Sequence, residues 1–318
     1  MRILVALVSA FLFCANAFAQ SFPNRPIRVV VPFPPGGGAD VVVRLITPKV
    51  SELLGQPVVV ENRAGAGGII GADYVAKAPA DGYTLLVATA SATINQTLAK
   101  NLPWDLKRDF APVVMLIKNQ NVLVVHPSVP VSNVRELIEL AKSKPGQLTY
   151  ASFGSGSSAH LIAELFKMMT GVNMLHVPYK GAAPAVNDVL GGQVNLIFTD
   201  IAAVLSHIRA GKVKALGVGS TTRFSGLPDV PTVAEAGVPG FEGGGFLAFV
   251  APTGTPRAAI DAINAATNKV LAMPDIRQRI DGLAGIPLGG TPDELGKFMA
   301  EDVEKWAKVI KAGNIQPN

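Results

Sequence analysis

The segment Val29-Val30-Val31-Pro32-Phe33-Pro34-Pro35-Gly36-Gly37-Gly38-Ala39-Asp40 constrains this chain more than any other. Three valines read as a buried strand, the prolines stiffen a corner, and three glycines lead to a helix opening at Ala39 or Asp40. A strand that delivers the N–H groups of a glycine loop to a helix N-terminus makes a ready anion site. Glycine lets main chain approach a ligand, because no Cβ stands in the way. A plain strand-to-helix turn uses the same residues, with Asp40 set against the helix dipole. A second loop of the same kind favours the ligand reading. It runs Tyr150-Ala151-Ser152-Phe153-Gly154-Ser155-Gly156-Ser157-Ser158-Ala159-His160, with Ser157 or Ser158 as the helix cap.

Short β-branched runs alternate with helical patterns through most of the chain, which predicts an α/β fold with mainly parallel sheet. Strands are expected at 27–33, 57–61, 84–89, 148–152, 175–179, 194–198 and 214–219, and helices at 39–54, 70–78, 134–142, 158–169, 182–190 and 202–210. From Pro256 onward the tail reads as three helices, broken at Pro274 and at Gly289-Gly290-Thr291-Pro292, with Thr291 and Glu294 as a capping box. Two extended apolar stretches, 113–126 and 245–250, interrupt the rhythm. If the chain crosses to a second lobe in the first and returns in the second, lobe one is 20–124 plus 250–318 and lobe two is 125–249. Opposing loops then face each other across a cleft, where ligands favour the carboxyl ends of strands.

The N-terminus reads as a secretory signal peptide over 1–19. Arg2 precedes the apolar run from Ile3 to Phe13, and Ala17-Phe18-Ala19 predicts cleavage after Ala19. Phe13 before Cys14 argues against a lipid anchor. Cys14, the single cysteine, therefore leaves with the signal, excluding disulfides and thiolate chemistry from the mature chain. No later run reaches the length of a membrane helix. The net charge of +5 is spread thinly, with 16% charged and 6% aromatic residues and no basic cluster, so nucleic acid is not an expected partner. A mild positive excess suits a small anionic ligand.

Other segments offer polar groups at strand ends. Thr89-Ala90-Ser91 follows one strand, and Thr199-Asp200 closes another, where Asp200 also reads as a simple helix cap. A third glycine cluster, Arg63 to Gly71, reads better as tight packing than as ligand contact. Gly154-x-Gly156-x-x-Ala159 fits the loose dinucleotide pattern, but no acid follows at the next strand end, and no cofactor is expected. The four histidines, His126, His160, His176 and His207, form no metal-ligand spacing, so no metal is expected; His160 reads as a residue that steadies its loop. No G-x-S-x-G elbow or other nucleophile–base–acid set occurs, so no catalytic residue is assigned and no enzyme is predicted.

Several motifs together carry a specific likeness. They are Pro23-x-Arg25-Pro26-Ile27, Pro32-Phe33-x-Pro35-Gly36-Gly37-x-x-Asp40, Val60-Glu61-Asn62-Arg63-x-Gly65-Ala66-x-Gly68 and Ala80-Asp81-Gly82-Tyr83-Thr84-Leu85-Leu86. Gly154-x-Gly156-Ser157-x-x-His160-Leu161, Val177-Pro178-Tyr179-Lys180-Gly181 and Leu227-Pro228-Asp229-Val230-Pro231-Thr232 complete them. The chain resembles the solute-binding proteins of tripartite tricarboxylate transporters, the Bug family, over its whole mature length. The resemblance implies a periplasmic, two-lobed periplasmic-binding-protein fold of type II-like layout that closes on a small carboxylate. It implies that the loop with Phe33, Pro35, Gly36, Gly37, Gly38 and Asp40 holds a carboxylate through backbone N–H groups and water. Ser152, Gly154, Gly156, Ser157 and Ser158 would grip the other end, with Thr89, Ala90, Ser91, Thr199 and Asp200 lining the sides. Membrane transporter subunits are the implied partners and a monomer the implied state. A sensing adaptor for a membrane kinase is the alternative role.

Overall fold

The computed structural model describes residues 22–179 and 181–316. The expected signal peptide, 1–19, lies outside the described residues. Two mixed sheets organise the chain. The first holds β1 (Ile27–Val31), β2 (Val58–Asn62), β3 (Thr84–Thr89), β4 (Phe110–Asn119), β10 (Gly245–Pro252) and β11 (Gly285–Gly289), in the order β11-β4-β10-β3-β1-β2. The second holds β5 (Asn121–Val125), β6 (Thr149–Ser152), β7 (Leu175–Pro178), β8 (Leu196–Asp200) and β9 (Lys214–Val218), in the order β7-β6-β8-β5-β9.

Local chemistry explains the elements that flank the loops. In β1, Ile27, Val29, Val30 and Val31 are fully buried, as expected of a strand covered on both faces. It ends at Val31 rather than 33, because Pro32 has no N–H to continue the ladder. Helix α1 (Gly38–Leu54) buries Val42, Val43, Ile46 and Val50 along one stripe and stops at Gly55, whose φ of 69° suits glycine. Later helices are α2 (Ile69–Ala76), α3 (Ala90–Leu98), α4 (Leu106–Asp109), α5 (Val134–Ser143), α6 (Ser158–Thr170), α7 (Ala182–Leu190) and α8 (Ile201–Arg209). The tail supplies α9 (Arg257–Leu271), α10 (Pro274–Gly282) and α11 (Pro292–Ala312). Thr291 Oγ1 accepts from Glu294 N at 3.2 Å and Glu294 Oε2 accepts from Thr291 N at 2.7 Å, so the capping box is present.

Two expectations need correction. The sheets are not mainly parallel. β10 runs antiparallel to β3 and β4, β11 antiparallel to β4, and β5 antiparallel to β8 and β9. Strands covered on both faces read as continuous apolar runs, so direction leaves no local mark. The tail is also not purely helical: β11, with Pro287 inside it, forms a sheet edge, the one place where a missing N–H is tolerated. Strands β4 and β5 are separated by Gln120 alone, and β10 starts at Gly245. The chain therefore changes sheet at Gln120 and again before Gly245.

The core is continuous between the sheets. One cluster runs from Val30, Ala88 and Phe246 of the first sheet through Leu98, Trp306 and Val309 to Tyr150, Phe166 and Phe198 of the second. Helix α11 is its keystone. Trp306 Nε1 and Thr93 Oγ1 both donate to the buried carboxylate of Asp302, at 3.0 and 2.6 Å, tying α11 to α3. Among the described residues no helix is long and apolar enough to cross a membrane.

Candidate ligand-binding cleft

The sheet registers bring the loops to one place. Thr89 pairs with Leu247 and Asn119 with Gly245, so the carboxyl ends of β1, β2, β3 and β4 share one end of the first sheet. Asn121 pairs with Asp200, so the start of β5 lies with the carboxyl end of β8. Gln120 joins these two ends, and the loops of both sheets converge around it. A Cβ built on Gly156 would run into Leu98 Cδ2, so the second-sheet loop already touches α3 of the first.

In the first loop Pro35, Gly36, Gly37 and Gly38 are exposed, and Phe33 is half-buried over Gly68. Gly37 caps α1 without any side-chain hydrogen bond, leaving the first-turn N–H groups to a ligand or water. Asp40 does not face that ligand. It is buried, and its carboxylate accepts from Gly36 N, Arg44 Nε and Asn62 Nδ2, each at 2.9 Å. Burial pushes its pKa up, but the bonds from Arg44, Gly36 and Asn62 outweigh burial and hold it below the usual carboxylate value. Asn62 also donates to Phe33 O at 3.1 Å. Asp40 thus positions the loop at φ 80° of Gly36, a conformation that favours glycine. Thr89 caps α3, its Oγ1 accepting from Ser91 N at 3.3 Å; Ala90 is in the core and Ser91 is half-buried. The third glycine cluster packs as expected, since a Cβ on Gly71 would lie 2.8 Å from Arg63 O and Pro32 Cβ.

In the second loop Ser157 caps α6, accepting from His160 N at 3.4 Å, and Ser158 opens the helix. Gly154, Gly156, Ser157 and Ser158 are half-buried. Ser152 is wholly buried; its Oγ lies 2.6 Å from His176 Nε2 and accepts from Gly154 N at 3.2 Å, so it shapes the loop from beneath. His160 Nδ1 accepts from Gly156 N at 3.0 Å, the steadying role expected of it. Burial, then the neighbouring His176, lowers the His160 pKa to about 4. The two imidazoles stack at 3.9 Å and Tyr150 stacks on His176 at 4.9 Å. Tyr150 donates to Glu164 Oε1 at 2.5 Å and Lys167 Nζ to the same oxygen at 2.6 Å.

At the end of β8 the two expected residues diverge. Thr199 is completely buried on the sheet face opposite Asp200, with Oγ1 unpartnered. Asp200 is exposed, caps α8 without a side-chain bond, and is nonetheless hemmed in by protein, which desolvates the carboxyl and pushes it up to about 6. Solvent reaches this group, so the shift is not read as a stability contribution.

The sequence reasoning missed Arg44, Leu98, Gln120, Asn121 and His176, and took Asn62 only as part of a motif. Two signals were usable: Asn62, the polar end of β2 in register with Val31, and Lys118-Asn119-Gln120-Asn121, a polar break in an apolar run. No lysine or arginine occurs in 32–39, 89–91, 152–158 or 199–201, so the donors these segments themselves offer an anion are backbone N–H groups and hydroxyls. Among the described residues no group of histidines and acids is placed to hold a metal. A depression of about 680 Å³ lies at Arg28 and Thr84, the amino ends of β1 and β3, away from these loops.

The chain's likeness to known proteins is extensive. It is 42% identical to the UPF0065 protein in the tcbD-tcbE intergenic region of Pseudomonas sp. strain P51, over 94% of this chain and 89% of that protein. It is 39% identical to protein BugT of Bordetella pertussis, over 97% and 96%. Among solved structures, the R. palustris protein Rpa4515 with adipate superimposes with a TM-score of 0.82 at 37% identity, covering 93% of this chain and all of that one. MatC from Rhodopseudomonas palustris with bound malate gives 0.77 at 34%, covering 91% and 100%. The periplasmic binding protein BugD gives 0.78 at 35%, covering 93% and 100%. These are solute-binding receptors rather than enzymes, and the two-lobed α/β fold is theirs. The model of the tripartite tricarboxylate transporter family receptor matches residues 42–315, and the chain belongs to that family.

Proposed function

We propose that this receptor captures a small organic carboxylate between its two lobes and presents it to the membrane subunits of a tripartite transporter. The observation that carries the reading is the open N-terminus of α1: an exposed glycine loop, with no side-chain cap and its own acid turned inward. Adipate and malate, the ligands of two relatives, are compounds of this class. One lobe carries the first sheet, residues 22–119 and 245–316, and the other the second sheet, with Gln120 and 219–244 as the links. The protein acts as a monomer in the periplasm after cleavage following Ala19. Ligand favours the closed arrangement by bridging loops of both lobes.

The test is a thermal-shift and calorimetry screen of mature protein against mono-, di- and tricarboxylates, acidic amino acids and aromatic acids. A ligand at 100 times its Kd stabilises by about 2.7 kcal/mol, several degrees of melting temperature. One chemical class giving that shift is the expected result. A panel without a single binder, on protein with a cooperative melt, refutes the proposal.

A further inference from the structure

The cleft is polarised. On the side of α1 it offers the backbone N–H groups of an exposed glycine loop. Beside the link at Gln120 it offers the reverse. Asp200 ends β8 on the rung that carries Asn121, and among the described residues its carboxylate has neither a hydrogen bond nor an ion pair. The neighbouring first turn of α8 provides N–H groups, yet Asp200 does not bend back to cap them. A residue serving only as a cap would do so.

Two more polar groups stand beside it. Asn121 occupies the same rung as Asp200 in the β5–β8 pairing, so both side chains lie on one face of the sheet. Asn121 is 3% exposed and its Oδ1 has no partner; Gln120, 4% exposed, leaves Oε1 without a partner too. Buried polar atoms are nearly always bonded, so two adjacent exceptions next to an unpaired acid point to a group supplied from outside. The crowding that raises the Asp200 pKa has the same consequence: a donor placed there strengthens the ionised form. An ionised carboxylate only accepts hydrogen bonds, so what is supplied must donate.

We infer that Asp200, with Asn121 and Gln120 beside it, forms an accepting subsite that selects carboxylates bearing a hydroxyl or ammonium group over plain acids. This rests on the carboxylate reading above and gives it a second half. The ligand's carboxylate meets the helix N-termini, and its hydroxyl or ammonium meets Asp200. A second carboxylate at that point meets a like charge in a partly desolvated setting and is disfavoured.

Calorimetry at pH 7.5 with matched acids tests it: propionate, lactate and alanine as one series, succinate, malate and aspartate as the other. Wild-type protein is expected to bind the best hydroxy or amino member of a series at least about tenfold tighter than its plain parent. Asp200→Asn is expected to erase that ratio. Because Asp200 caps nothing with its side chain, the ligand-free melting temperature of Asp200→Asn should stay within about two degrees of wild type. A larger loss in the hydroxy arm identifies a hydroxyl ligand, and one in the amino arm an ammonium ligand. Plain acids binding as tightly as their substituted partners would overturn the subsite while leaving the carboxylate reading standing. An unchanged ratio in Asp200→Asn would also overturn it. Failure of every acid to bind overturns both. The wild-type ratio needs no variant, so the inference stays testable if Asp200→Asn does not fold.

Discussion

The second ligand loop hangs on a neutral imidazole, and acidification should reveal it. His160 is 6% exposed, and its Nδ1 accepts from Gly156 N at 3.0 Å, which requires that nitrogen to be unprotonated. Its pKa in the fold is about 4, against an ordinary 6.5. A base whose folded pKa is depressed contributes stability that is fully present above pH 6.5 and disappears as pH falls toward 4. The complete span corresponds to about 3 kcal/mol at 1.36 kcal/mol per unit, and most of it, about 2–3 kcal/mol, is lost between pH 7.5 and 4.5. His176, stacked on it and also lowered by burial, acts in the same direction, so the pair titrates as a unit. The other charges facing the pair are Glu164, which opposes the shift, and Lys167, which reinforces it. Urea denaturation of wild type and His160→Gln at the two pH values isolates the effect. Glutamine keeps an acceptor for Gly156 but does not titrate, so the variant should lose about 2 kcal/mol less than wild type on acidification. Equal pH dependence in the two proteins would refute the assignment, as would an imidazole NMR titration that places His160 near 6.5.

Three further outcomes follow from the loops. Gly37→Val should shift the melting temperature by no more than about two degrees, because φ −74°, ψ 165° suits valine and its Cβ meets only Pro34 O at 3.6 Å. Ligand affinity measured by calorimetry should fall at least about tenfold, since the side chain fills the approach to α1; comparable losses in stability and affinity contradict this. Asp40→Ala leaves Gly36 N–H, Arg44 and Asn62 without their common acceptor, and denaturant unfolding should show a loss of about 1–3 kcal/mol together with weaker ligand binding. Gly156→Ala combines a φ of 76° with a collision against Leu98, and the double variant with Leu98→Ala should recover the collision but not the roughly 1–2 kcal/mol of left-handed strain. Additive single effects in that cycle would show that the two residues do not meet.

What was readable in advance and what was not divides along the range of the interactions. Prolines, glycines and caps act within a few residues, so the loops at 32–38 and 154–158, the first turn of α6 and the box at Thr291 are visible in the chain itself. The same locality explains why the loops are visible in the chain but the direction of their side chains is not. Asp40 and Ser152 have near partners in Gly36, Arg44 and Gly154, but each also bonds a residue more than twenty positions away, Asn62 or His176, which only the fold brings beside it. Thr199 and Asp200 are adjacent, yet strand alternation sends the first into the core and leaves the second exposed. That distinction needs only the period of two, but choosing which of the pair faces the ligand needs the neighbour across the sheet. Here the neighbour is Asn121 on an antiparallel strand, and both its direction and its register come from the crossing at Gln120; the polar break Lys118-Asn119-Gln120-Asn121 marks the place but not which strand lies across from it. A binding loop can therefore be located from its backbone grammar, while the chemistry it selects rests on long-range register. The rung that pairs Asn121 with Asp200 is where ligand class would be decided, and it is the part that only the fold brings into view.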